Sequence, residues 1–267
     1  MRHLICAILF LAVGMNAVGA IGTMGATTAN DMITIPAGAF TMGRDDGADD
    51  ERPAHQVTLS AFHIDRQPVT NAQFAEFLNV RGHSTAGSAR LYDYDDNDAR
   101  IHQVNGQYVA DRGFENHPAV ESSWLGAREY CAWRGKRLPS EAEWEKAARS
   151  ADARRYPWGN TAPDRSRAQF AARFNETAPV ENFAAGASPY GVQGMAGNAW
   201  HWVSSAYRPY PYRADDGRED FTPGPVRATR GGGHDSPAGE ITTTQRGRTL
   251  SRNPRAGHHN ISFRCAQ

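Results

Sequence analysis

Two short runs concentrate the residues that could do chemistry. Arg230-Gly231-Gly232-Gly233-His234-Asp235-Ser236, followed by Glu240, Arg246 and Arg248, sets an imidazole, carboxylates, a hydroxyl and guanidiniums beside consecutive glycines. Gly191 to Trp202, GVQGMAGNAWHW, sets the small-residue turn Gly197-Asn198-Ala199 against Trp200, His201 and Trp202. Glycine costs about 1 kcal/mol relative to alanine inside a helix, so such runs mark positive φ angles or close backbone approach. The indoles imply a buried aromatic centre in which each N–H needs a partner. The turn then reads either as a core turn or as the floor of a ligand or metal pocket built partly from backbone carbonyls. Ser236, His234 and Asp235 do not make a nucleophilic triad, because adjacent side chains diverge. His201, His234 and an acid would give two imidazoles and one carboxylate, the donor set that suits non-haem iron. His258-His259 reads as a hydrated loop feature. The expectation is a groove in which Trp200 covers Gly233 and lies beside Ser236. Asn198 would bind ligand, and His234 and Arg246 would line the rim, with Arg246 free to pair an acidic ligand group.

Composition bounds the partners. Lys and Arg number 29 and Asp and Glu number 29, so the net charge is zero and no nucleic-acid or anionic-membrane partner is expected. The first 20 residues read as a secretory signal peptide: Arg2 and His3, an apolar run from Leu4 to Val13, then small residues to Ala20, with Ala26 a later cleavage option. The expected location is secreted or periplasmic, with no membrane span after cleavage and an exported protein, peptide or small molecule as substrate. Two cysteines then remain, Cys131 and Cys265. An oxidising compartment favours a single disulfide between them over two separate buried thiols.

The positioning elements follow from caps and periodicity. Met32 to Met42, turning at Pro36-Ala37-Gly38, reads as a hairpin, and Val57 to Ile64 reads as one strand. Thr70 with Gln73, and Ser140 with Glu143, make capping boxes for two helices. A third helix starts at Ser123 and stops at Gly135. Leu91 to Asp98, LYDYDDND, offers oxygen ligands at alternate positions, which suits Ca²⁺. It lacks the Gly and bidentate Glu of an EF-hand loop, so it reads as a solvated surface loop. Beyond Asn160 the segments are short, turn-rich and aromatic. Without repeats or linkers, one α+β domain of low regular secondary structure is expected over residues 30–267.

Seven stretches in order resemble the formylglycine-generating enzyme, or sulfatase-modifying factor, family: MITIPAGAFTMG at 32–43, PVTNAQFAEFL at 68–78, AREYCAWRGKRLPSEAEWEKAAR at 127–149, YPWGN at 156–160, GMAGNAWHW at 194–202, RGGG at 230–233 and FRCA at 263–266. The resemblance implies a variant of the C-type-lectin-like fold and a Cys131–Cys265 disulfide. It also implies two copper-binding cysteines after the glycines, and there this chain has Ser236 and Ile241, with Gly233 for the family's serine. Copper(I) needs soft thiolates, so the copper-thiolate site is absent and cysteine-to-formylglycine oxidation is not expected. At the family's calcium sites, His201 replaces a glutamate and Gly194 an asparagine, leaving the carbonyls of Gly197 and Ala199, while the second site reads Gln169 and Ala172. An iron-dependent branch takes its ligands from an added N-terminal helical domain, for which residues before 30 leave no room. Exported relatives without the cysteines act in siderophore chromophore maturation or accompany copper nitrite reductases. Two expectations result, with the cofactor unassigned and a metal ion open: an exported, oxidoreductase-like maturation factor, or a non-catalytic accessory protein binding a peptide or ligand.

Overall fold

The computed structural model describes residues 31–221, 226–247 and 254–267. The proposed signal segment and Arg248 lie outside the described residues. The strands are β1 (Met32–Ile35), β2 (Gly38–Met42), β3 (His55–Leu59), β4 (Phe62–Asp65), β5 (Ile101–Val104), β6 (Gln107–Ala110), β7 (Trp200–Ala206), β8 (Arg227–Arg230) and β9 (Ile261–Phe263). The α-helices are α1 (Asn71–Arg81), α2 (Trp124–Trp133) and α3 (Glu141–Arg149). This is a mixed α+β chain of short strands and few helices. No helix among the described residues is long and apolar enough to cross a membrane.

Strand β7 is buried along its whole length. It pairs antiparallel with β8 on one edge and parallel with β9 on the other, Trp200 opposite Ile261 and Trp202 opposite Phe263. Because side chains alternate along a strand, β7 serves two cores. Trp200 and Trp202 join Phe74, Phe77, Tyr130 and Phe263, and the Trp202 indole donates to the Ser122 carbonyl at 3.0 Å. Val203 joins Ile64, Trp144 and Met195 on the other face. Cys131 of α2 and Cys265 after β9 are disulfide-bonded with Cα atoms 5.6 Å apart, which ties the first core together across 134 positions.

All three helix starts form where the caps place them. Thr70 and Ser140 complete both halves of their capping boxes, and Ser123 accepts from the Gly126 amide. Strand pairing differs from expectation. β1 and β2 do not form a hairpin: β1 pairs with β4, and β2 with β3. The Val57 to Ile64 segment breaks between Leu59 and Phe62, so one half serves each partner. Alternation identifies a strand and its buried face but not its neighbour. Asn105 and Gly106, both at positive φ, make the tight turn of a β5–β6 hairpin.

Candidate functional site

The glycine run leaves β8 and turns under the indole of Trp200. A β-carbon on Gly233 would meet Asp235 Oδ1 at 2.8 Å and Trp200 Cδ1 at 3.1 Å, so only glycine fits there without displacement. Opposite it, Gly197 (φ +69) and Asn198 (φ +64) form a left-handed turn. The Asn198 backbone carbonyl accepts from both the His234 amide, at 3.0 Å, and His234 Nδ1, at 3.1 Å. That contact makes Nδ1 the protonated nitrogen and leaves Nε2 with a lone pair. His234 is fully buried, and Nε2 has no hydrogen-bond partner among the described residues.

The third participant arrives with β9. Trp200 N–H donates to the Asn260 carbonyl at 2.8 Å, which holds His259 and Asn260 beside the glycine run. The His234 and His259 ring centroids are 5.8 Å apart. His259 Nε2 is 3.5 Å from Asp235 Oδ2, and Asn260 Nδ2 donates to both Asp235 oxygens at 3.2 and 3.0 Å. One ligand atom from each of His234, Asp235 and His259 lies within 4.8 Å of the others. Burial holds the His234 imidazole below its usual value, and the neighbouring His259 imidazole holds the Asp235 carboxyl below its own. A neutral imidazole beside an ionised carboxylate is the protonation state that binds a metal.

An open pocket of about 380 Å³, lined by Arg165, Gln169, Arg173 and Glu176, adjoins this cluster. Ala171 N–H donates to the Ser236 carbonyl and Ala172 N–H to the His234 carbonyl, which joins pocket wall and site backbone. Phe174, two-thirds exposed, lies tilted against His259 with ring centroids 4.3 Å apart.

Several expected roles change. Trp200 and Ser236 both contact Gly233, but Ser236 is buried and its hydroxyl accepts the Gly233 amide at 3.1 Å, closing the turn. The Asn198 side chain is spent on Ala178, accepting its N–H at 2.8 Å and donating to its carbonyl at 2.9 Å; only its backbone serves the site. Arg246 is not on a rim. It is buried, donating to Glu141 through Nε at 2.6 Å and Nη2 at 3.0 Å. His201 does not meet His234, because strand alternation turns it away from Trp200 toward α3. There its Nδ1 accepts the Trp144 indole N–H at 3.0 Å, and burial drives its pKa well below the usual imidazole value.

The metals that the family resemblance implies do not fit. For copper, the described cysteines are consumed in the disulfide, and the positions of the thiolates hold the Ser236 hydroxyl and the buried Ile241 side chain. For calcium, His201 belongs to no cluster of potential ligands among the described residues, the Gly197 carbonyl accepts the Ala199 N–H, and the Arg264 guanidinium already sits on the Gly194 carbonyl. Ala172 has no oxygen in its side chain. His259, which with His258 reads from the sequence as a hydrated loop feature, instead lies part-buried beside His234 and Asp235. Its signal was faint: an imidazole immediately ahead of Asn260 and the strand that carries FRCA.

Residues 18–267 match the model of the sulfatase-modifying factor enzyme 1-like domain. A formylglycine-generating enzyme of Streptomyces coelicolor is 34% identical over 281 residues, covering 88% of each chain. The serine/threonine-protein kinase Pkn1 of Chlamydia trachomatis is 37% identical over 246 residues, covering 89% of this chain, but the chain spans only 38% of that protein's length. Among solved structures, PvdO from Pseudomonas aeruginosa superimposes with a TM-score of 0.68 at 28% identity, covering 88% of this chain and 93% of its own.

Proposed function

The chain belongs to the sulfatase-modifying factor family, and from that premise we propose that it is an exported, oxidoreductase-like maturation factor whose groove holds a metal on His234, Asp235 and His259 in place of a copper dithiolate. The observation that carries this reading is the convergence of two imidazoles and one carboxylate, with ligand atoms within 4.8 Å of one another, in the glycine-rich groove under Trp200. Mixed nitrogen and oxygen donors of this kind suit non-haem iron and exclude a preference for calcium. The Asn198 carbonyl on His234 Nδ1 is the outer contact that fixes tautomer and ring orientation at such sites. When bound, the metal would supply the redox chemistry. The chain's residues would orient it, shield it beneath the indole, and admit substrate from the Arg165 and Arg173 side. Export is supported by the basic, apolar and small-residue order of the first 20 residues.

Elemental analysis tests the reading. Protein stripped with EDTA and reloaded anaerobically with Fe(II) should keep close to one equivalent, and His259→Ala should keep none. Given Cu(I), oxygen, a thiol reductant and a sulfatase-type cysteine peptide, the protein should form no aldehyde above a no-protein control. N-terminal sequencing of protein from the exported fraction should begin after Ala20, or as late as after Ala26. A second reading, a non-catalytic accessory protein that binds a peptide or small ligand, is favoured by the open polar pocket beside Ser236. Protein that stays metal-free while binding such a ligand would select it.

A further inference from the structure

Asp96, Asp98 and Glu121 bring one carboxylate oxygen each to within 4.8 Å of one another. Two of them come from the acidic loop. The third comes from the turn ahead of α2, more than 20 positions away. Glu121 is the unusual member. It is 3% exposed, and the influences on its carboxyl are burial and like charges, with no hydrogen-bond donor and no cation among them. The charges that act on it are Asp93, Asp96 and Asp98, all of its own sign. Nearby, Asp95 is neutralised by Arg90, but no cation among the described residues reaches Glu121. A buried carboxylate in that situation is costly unless something positive joins it.

The backbone aims it there. Glu121 has φ +58, its N–H donates to the His258 carbonyl at 3.1 Å, and its carbonyl accepts the Asp93 N–H at 3.0 Å. Around it, Asp96 Oδ1 accepts the Asp98 N–H at 2.9 Å, and Asn175 Nδ2 holds Asp98 Oδ1 at 3.0 Å. Each aspartate therefore keeps an oxygen available.

We propose that Asp96, Asp98 and Glu121 form a calcium site, distinct from the histidine-containing groove. Three carboxylate oxygens from two separated segments make a hard, all-oxygen donor set. Their spacing fits a cation with ligand distances of about 2.3–2.6 Å and water completing the shell. Mg²⁺ demands a smaller and more regular shell, with ligands at about 2.0–2.1 Å. The bound ion would fasten the acidic loop to the segment leading into β9. Asp93 Oδ2 already accepts the Gly257 N–H at 2.7 Å, and Asn175 adjoins the Phe174 ring that packs against His259. The site therefore acts as a clamp on the segment that carries His259, whichever metal the groove holds.

Calorimetric titration of the chelated full chain with Ca²⁺ tests this. One saturable equivalent is expected, with a raised thermal midpoint. Asp98→Asn and Glu121→Gln should each weaken binding by about tenfold or more, since affinity follows ligand charge. His259→Ala should bind Ca²⁺ as the parent does. Without Ca²⁺, Glu121→Gln should melt no lower than the parent, because a neutral amide meets no repulsion from Asp93, Asp96 and Asp98. Absence of saturable binding, persistence of binding in both carboxylate variants, or its loss in His259→Ala overturns the proposal. Asp98 lies in an exposed loop, so Asp98→Asn keeps the test decisive should Glu121→Gln fail to fold.

Discussion

Arg230 and His234 stand in one glycine-rich run, both fully buried, and meet opposite surroundings. Arg230 faces α3, where Nη1 reaches Glu141 at 3.1 Å and Tyr210 Oη at 3.0 Å, and Nη2 reaches Glu145. Arg246 grips Glu141 with two nitrogens, and Arg149 takes Glu145 at 2.9 Å. Burial alone would raise Glu141, but Arg246 and Arg230 outweigh it and hold the carboxyl below its usual range. Arg230 Nε also lacks a partner, but a guanidinium has no lone pair to offer a ligand; His234 has one nitrogen fixed and the other without a partner among the described residues, in a cluster with two more potential ligands. Buried charge whose carboxylates all face guanidiniums is scaffold, because each partner is needed to make the other tolerable. A buried donor atom left without a partner, beside others like it, marks a site waiting for a ligand.

The contrast breaks first at Glu141. Glu141→Ala strands two buried guanidiniums and should cost about 3–5 kcal/mol in urea denaturation, while the folded fraction still loads metal. A mild loss would mean that the network is not what supports β8 against α3. Trp200→Ala comes next, because the indole belongs to the aromatic core and also covers Gly233. It should cost about 3–5 kcal/mol and should also reduce metal retention in the folded protein, joining the two effects that Glu141→Ala separates.

A pH series sharpens the comparison. His201 is buried and held well below its usual value, first by desolvation and then by Arg264. In the unfolded chain it titrates near 6.5. Below about pH 6.5 the unfolded state therefore takes up a proton that the folded state refuses. Stability should be level above that pH and fall below it, by up to about 1.4 kcal/mol per pH unit from this residue. Stability curves of parent and His201→Gln at about pH 7.5 and 5.5, either side of that value, check this; an equal acid loss in both would assign it elsewhere. The smallest stability change belongs to the groove. His259→Ala, at a part-exposed position, should shift stability by only about 0.5 kcal/mol yet abolish retention of the reloaded metal. A large loss of stability would place His259 with the scaffold.

Much of the fold was legible because its signals are short-ranged. Thr70 with Gln73 and Ser140 with Glu143 satisfy helix ends across three positions, and those contacts form as the residue types require. The sequence by itself also determined what the chain lacks at the family's copper positions: Ser236 and Ile241 cannot supply thiolates wherever they lie. Only the tertiary structure decided which groups meet. Strand parity turns His201 to α3 while Trp200 covers the groove, and the parallel pairing of β9 with β7 brings His259 to His234. Long-range packing, likewise, folds Arg246 onto Glu141 and sets Glu121 against Asp96 and Asp98. Capping acts over one turn of backbone and can be read from neighbours. Convergence of ligands depends on strand register and partner choice, which alternation along one segment does not encode.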